Sequence, residues 1–202
     1  KIILCGDTNV GKSTFFNKLR NETYFNKDIT PTVGVDFAVF RSVYNNSNIK
    51  LHLWDTAGQE RFRSVITSYF KNISATIIMF SLDDIDSLKN VPYWIEISHE
   101  YSTCNHNHPI ILLGNKGDKV KHISENKKEL IINYIEEYNI YRYEEISGLH
   151  DLLHPNKFFK DLIVEIFKNI DNDCCGILNK NKVKPIVITE KNEKKKISCC
   201  KF

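Results

Sequence analysis

The chain has 202 residues, of which 42% are hydrophobic and 26% charged, a balance that excludes disorder throughout and fits one well-buried domain plus a tail. Its 28 Lys+Arg and 25 Asp+Glu give a net +3, but residues 171–202 alone carry eight Lys against four acids, a net +4, leaving 1–170 at −1. A weakly acidic body lacks the clustered cations that displace counterions from nucleic acid, so no nucleic-acid partner is expected.

No stretch approaches the roughly 20 apolar residues that cross a bilayer, and the opening KIILCGD turns polar too soon for a secretory signal. The expected compartment is the cytosol. Lys1 is not an initiator methionine, in keeping with native residues trimmed ahead of it. Of the six cysteines, Cys174-Cys175 and Cys199-Cys200 are adjacent pairs, a poor pattern for a disulfide framework, and no structural disulfide is expected.

Short β-branched runs alternate with segments of helical period, which predicts an α/β fold with a mostly parallel sheet covered on both faces. The first strand spans Ile2 to Cys5 and leads through a glycine-containing loop to a helix from about Lys12 to Arg20, with Phe15, Phe16 and Leu19 on one face. Strands follow at Val35 to Tyr44 and Ile49 to Trp54. The four residues Asn45-Asn46-Ser47-Asn48 between them are too few for a parallel crossover, so one edge is antiparallel. Next come a strand at Ala75 to Phe80, a helix reaching about Tyr101, and strands at Ile110 to Leu113 and Tyr143 to Ile146. Helices near Glu125 to Tyr138 and Asn156 to Lys168 complete the pattern. Pro92 requires the first of these helices either to begin near Val91 or to kink in its first turn. From Asp171 the hydrophobic period disappears, which divides the chain into a domain at 1–170 and a flexible basic tail at 171–202.

Gly6-Asp7-Thr8-Asn9-Val10-Gly11-Lys12-Ser13 fits GxxxxGK[ST] and lies between a predicted strand and a predicted helix, the setting that motif requires. There the backbone amides and the helix N-terminus face phosphate, Lys12 bridges the β- and γ-phosphates, and the Ser13 hydroxyl meets Mg²⁺. Asp55 closes the second hairpin strand, where its carboxylate serves the metal side of a phosphate site. The following Gly58 brings an amide to a terminal phosphate, and Gln59 orients the attacking water. Asn115-Lys116-Gly117-Asp118 follows a strand's C-terminal end, where open α/β sheets bind ligands. A carboxylate at Asp118 accepts from guanine N1 and N2, whereas adenine offers no matching pair of donors.

With these elements in order, the sequence resembles the Ras superfamily of small GTPases over about residues 1–170, and the Rab family in particular. The Rab-like strings are Val33-Gly34-Val35-Asp36-Phe37, Lys50-Leu51-His52-Leu53-Trp54-Asp55-Thr56 and Glu60-Arg61-Phe62-Arg63-Ser64. The resemblance implies a P-loop GTPase fold with a six-stranded sheet, Thr32 as the switch threonine on Mg²⁺, Lys116 packed over the base, and Thr14 among the nucleotide contacts. It also implies an aromatic against the base, either Tyr24 or Phe25, with Phe25 favoured by its distance from Thr32. Where the family usually has Ser-Ala-Lys, this chain has Ser147-Gly148-Leu149, so the Gly148 amide is left to meet guanine O6 while the packing lysine is absent. Pro31 restricts the first switch, and Asn72-Ile73-Ser74 replaces a small, glycine-containing stretch.

Cys199-Cys200-Lys201-Phe202 resembles a Rab geranylgeranylation end, and Lys194, Lys195 and Lys196 each add about 1 kcal/mol beside an anionic leaflet. Cys104, His106 and His108 match no zinc spacing and read as a polar loop. Together these features predict a switch that binds GTP or GDP with Mg²⁺, hydrolyses GTP slowly with Gln59 and Lys12 as catalytic residues, and governs vesicle trafficking. It is expected to shuttle between cytosol and the cytosolic face of internal membranes. Expected partners are effectors, an exchange factor, an activating protein, a GDP dissociation inhibitor and the prenylation escort machinery. Two rivals remain at this stage: a GTP-binding scaffold with negligible hydrolysis, and a P-loop ATPase or nucleotide kinase.

Overall fold

A computed structural model describes residues 1–21, 32, 34–58, 67–102, 108–148, 150–151 and 155–174. Its centre is β1 (Ile2–Cys5), a four-residue run buried on both faces. β1 pairs in parallel with β3 (Ser47–Thr56) on one side and β4 (Ala75–Ser81) on the other. β2 (Val35–Tyr44) lies antiparallel on β3 at one edge, and β5 (Ile110–Asn115) and β6 (Arg142–Glu145) continue the parallel sheet to the other. The order β2-β3-β1-β4-β5-β6 gives six strands and one antiparallel pair, as the strand pattern predicts.

Alternation in β1 assigns side chains to two cores. Ile2 and Leu4 face a cluster built with α1 (Lys12–Arg20) and α5 (Pro155–Cys174), while Ile3 and Cys5 face one built with α3 (Val91–Tyr101) and α4 (Glu125–Glu137). In the first cluster Phe158 meets the Phe15 ring edge-on at 5.4 Å, Phe159 lies 5.2 Å from Phe40, and Phe167 stacks on Tyr44 at 4.6 Å. Burial of Phe15, Phe158 and Phe159 stabilises the fold by about 1.5–3 kcal/mol each.

β4 and β5 run one and two residues past their expected ends, taking in Ser81 and Asn115, β6 lies one residue earlier, and three further places differ from the sequence expectation. The hairpin turn is only Asn45-Asn46, both at positive φ (47° and 61°), so Ser47 and Asn48 belong to β3. The helix reaching Tyr101 is preceded by a separate short helix, α2 (Ile85–Lys89), capped by the Asp84 carboxylate accepting from the Asp86 amide at 3.0 Å. Pro92 then falls in the first turn of α3, where its missing N–H costs nothing. The last helix runs to Cys174, past the expected boundary at 170, because Asp and Asn weaken a helix only mildly and no Gly or Pro intervenes before Gly176.

Leu162 is fully buried under the sheet, whereas Val43 on the hairpin is 66% exposed. Leu162→Ala is expected to cost about 2–5 kcal/mol and Val43→Ala less than about 0.5 kcal/mol in urea unfolding, with equal m-values.

Candidate functional site

The loop between β1 and α1 is shaped by two glycines. A Cβ on Gly6 (φ 137°) would fall 2.0 Å from the Met79 carbonyl, and one on Gly11 (φ 100°) would fall 2.2 Å from Asn115 Nδ2. Any side chain at either place would collide with the backbone of β4 or the amide of β5's last residue. The loop therefore wraps tightly enough for the buried Lys12 Nζ to donate to the carbonyls of its own loop, Gly6 at 2.9 Å and Asp7 at 2.7 Å. Gly58 closes over the same point: its Cβ would lie 2.5 Å from both the Asp7 carbonyl and Lys12 Nζ. Val10 is buried beneath the loop, while Thr8 and Asn9 are exposed at its tip, with Asn9 in the left-handed region (φ 59°). Thr14, partly buried, follows Ser13 in the first turn of α1.

Three predicted metal residues, far apart in sequence, meet beside this loop. Ser13 Oγ donates to Asp55 Oδ2 at 2.6 Å, and with its one proton so committed it accepts from Thr32 Oγ1 at 2.5 Å. Asp55 is 1% exposed, and its second oxygen, Oδ1, has no hydrogen-bond partner among the described residues. Burial pushes the Asp55 carboxyl up to about 6; the Ser13 hydroxyl and the Lys12 ammonium pull it back, and Asp36 across the hairpin adds to the rise. Burial likewise lowers Lys12, against the opposing pull of Asp55, Cys5 and Asp7. Two hydroxyls and a buried carboxylate with one unmet oxygen form a hard, all-oxygen donor set, which fits Mg²⁺ with waters completing its shell.

The base-side loops are joined by one side chain. Asn115, 2% exposed at the end of β5, donates through Nδ2 to the Val10 carbonyl at 2.7 Å and accepts through Oδ1 from the Gly148 amide at 2.8 Å. The amide expected to meet guanine O6 is thus engaged by Asn115 in this structure. Asp118 Oδ1 accepts from the Ser147 hydroxyl at 2.6 Å, so these two predicted residues also stand together. Lys116 adopts the left-handed conformation (φ 63°) and its ammonium lies 3.7 Å from Asp83, which pairs as well with Lys119 at 3.5 Å and accepts from the Ser81 hydroxyl.

Sequence reading missed four residues that build these loops. Asp151 Oδ2 accepts from the Ser147 amide at 2.7 Å, and the buried Lys18 ammonium reaches the Asp151 carbonyl at 3.4 Å. The Asp7 carboxylate turns to Asn90 and Trp94 on the far side of its loop. No spacing signals such contacts; the available hint was chemical, since a carboxylate beside a phosphate site needs donors elsewhere. Phe25, Gln59, Cys199 and Cys200 lie outside the described residues, as do Tyr24, Pro31, Cys104 and His106. His108 is buried, with Nε2 2.9 Å from the Thr76 hydroxyl, and no cluster of metal-ligand type occurs among the described residues beyond the site above.

Comparison with known proteins agrees with this geometry. The Ras family model matches residues 1–168. Ras-related protein RABD2b of Arabidopsis thaliana is 37% identical over 118 residues, covering 58% of this chain and 57% of the relative. GTP-binding protein ypt1 of Schizosaccharomyces pombe is 38% identical over 120 residues, 59% and 58% of the two chains. GTP-binding protein YPTM2 of Zea mays is 38% identical over 118 residues, 58% and 57%. The matched part thus spans a little over half the length of these curated relatives. The chain belongs to the Ras family. The relatives named above carry Rab and Ypt names within that family.

The site makes the fold's stability depend on pH. Because Asp55 titrates near 6 when folded and near 3.8 otherwise, the native state holds a proton that the unfolded chain has released, and stability falls as pH rises through that window. With divalent cations chelated, Asp55→Asn is expected to gain on the parent chain by up to about 3 kcal/mol between about pH 4 and 7, read from urea midpoints. Adding Mg²⁺ near pH 7 should restore the parent and leave Asp55→Asn unmoved.

Proposed function

We propose that this chain is a Rab-type guanine-nucleotide switch that binds GTP and GDP with Mg²⁺, hydrolyses GTP slowly, and controls membrane trafficking. The observation that carries this reading is the meeting of Ser13, Thr32 and Asp55 around one unmet buried oxygen, beside Lys12. Polyphosphate, metal and a guanine-selective carboxylate at Asp118 then fall along the C-terminal ends of the parallel strands, which supports GTP over ATP as the substrate.

Gly6, Asp7, Thr8, Asn9, Val10 and Gly11 supply main-chain groups to the β-phosphate, with Lys12, Ser13 and Thr14 at the helix N-terminus. Ser13, Thr32 and Asp55 would hold a Mg²⁺ ion, which when bound would supply neutralisation of phosphate charge. Lys12 exchanges its carbonyl partners for phosphate oxygens, placing a charge where negative charge builds during transfer. Gln59 orients water, whose oxygen bonds to the γ-phosphorus as the bond to the β–γ bridging oxygen breaks. The electron pair of that bond leaves with GDP, and the water's protons pass to phosphate and solvent. On the base side Asp118 accepts from guanine, Lys116 packs over the ring and Phe25 is the aromatic against the base, with Asn115, Ser147 and Gly148 shaping the pocket. Loss of the γ-phosphate frees Thr32 and the Gly58 amide, so the two switch segments loosen together.

Residues 1–170 form the nucleotide-binding domain in this reading, and 171–202 the basic tail, lipid-modified at Cys199 and Cys200. Shuttling between cytosol and internal membranes then calls for a GDP dissociation inhibitor and prenylation escort as well as effectors, an exchange factor and an activating protein. Exposed Phe37, stacked on Trp54 at 5.2 Å, with Trp54 in turn 5.5 Å from Tyr69, gives effectors an apolar foothold close in sequence to the first switch.

Protein purified without added nucleotide should release guanine nucleotide on denaturation; ATP or ADP alone would overturn the reading. In single-turnover assays with an activating protein, Gln59→Leu should hydrolyse GTP at least about 10³-fold more slowly than the parent chain. A chain carrying Cys199→Ser and Cys200→Ser should fractionate with the cytosol; its recovery on membranes would refute the lipid anchor.

A further inference from the structure

The phosphate loop contains a residue whose charge opposes its task. Asp7 follows the first glycine, where a free carboxylate would repel the polyphosphate that the loop is shaped to receive. In the fold both of its oxygens are engaged by side chains of α3 and the residue before it. Oδ1 accepts from the Trp94 indole N–H at 2.8 Å, and Oδ2 from the Asn90 side-chain amide at 2.7 Å. These donors lie 87 and 83 residues away in sequence, on the first turns of α3 and the residue that joins it to α2.

The anchor is tied into the start of α3. Trp94 is 1% exposed, with Tyr93 edge-on to it at 5.4 Å, and Asn90 is fixed in the backbone through its amide to the Asp86 carbonyl at 3.1 Å. The other end of Asp7 is equally committed, since its carbonyl accepts from Lys12 Nζ at 2.7 Å and forms the surface on which Gly58 sits. One peptide unit therefore connects α3 to the lysine and to the start of the second switch.

We propose that Asn90 and Trp94 are positioning residues: through Asp7 they turn a negative charge out of the phosphate site and fix the loop's curvature, so that α3 sets how fast bound nucleotide escapes. This rests on the guanine-nucleotide reading above and assigns that site a regulatory support outside the nucleotide contacts. Hydrogen bonds to an ionised carboxylate are about twice as strong as neutral ones, so losing or inverting the pair acts directly on the loop.

The test exploits the polarity of the contact. Full-length chain is loaded with a fluorescent GDP analogue and chased with excess GDP. Asn90→Asp sets two carboxylates against each other and should speed release by about tenfold or more. Combining it with Asp7→Asn reverses the pair: Asn at 7 donates to Asp at 90 and still accepts from Trp94, so release should return to within about threefold of the parent. Trp94→Phe, which keeps the ring and removes the N–H, should speed release with little change in thermal midpoint. Parental release from Asn90→Asp, or release from the reversed pair as fast as from Asn90→Asp alone, would overturn the clamp. A parent chain that takes up no GDP would instead overturn the nucleotide reading on which the clamp stands.

Discussion

A single buried amide holds the ligand edge of this molecule together. Asn115 sits at the last position of β5 with almost no solvent contact, so both ends of its side chain must find partners within the protein. It finds them in two different loops, Val10 of the phosphate loop and Gly148 of the loop after β6. The requirement that Gly11 lack a side chain follows from the same approach, and so does the alignment of base-side and phosphate-side elements along one edge. The glycine pattern at 6 and 11 records how closely three strand ends converge there.

Electrostatics builds on that frame. Lys12 and Asp55 are both nearly removed from water, and burial biases each toward its neutral form. Charges in that setting interact strongly with whatever enters, because little solvent screens them. The unmet oxygen on Asp55, which is a liability to folding, is the same feature that suits the site to a cation. Stability and ligand capacity are here two aspects of one buried carboxylate.

Much of this was legible from residues alone, where local chemistry and long-range packing agree. β1, α1 and β2 match their expected bounds, set by Gly6, the run of apolar side chains and Asn45. β3 was read short because Ser47, Asn48, Asp55 and Thr56 are polar; they are in the strand because β2 pairs with them to its full length. That Ser13, Thr32 and Asp55 belong together was legible because the strings around them resemble those of a known family, and the structure joins the three by hydrogen bonds. Asp151, Lys18, Asn90 and Trp94 were not, since each acts through a contact across more than 80 residues or through a backbone group, leaving no periodic trace.

The pairing of α5 with the hairpin also fixes which way the molecule hangs. Phe159 lies on Phe40 and Phe167 on Tyr44, so the helix runs from the ligand edge toward the hairpin tip, and Cys174 leaves at the pole opposite the phosphate loop. A partner gripping that end of α5 would therefore leave the edge that carries Lys12 and Asp55 uncovered.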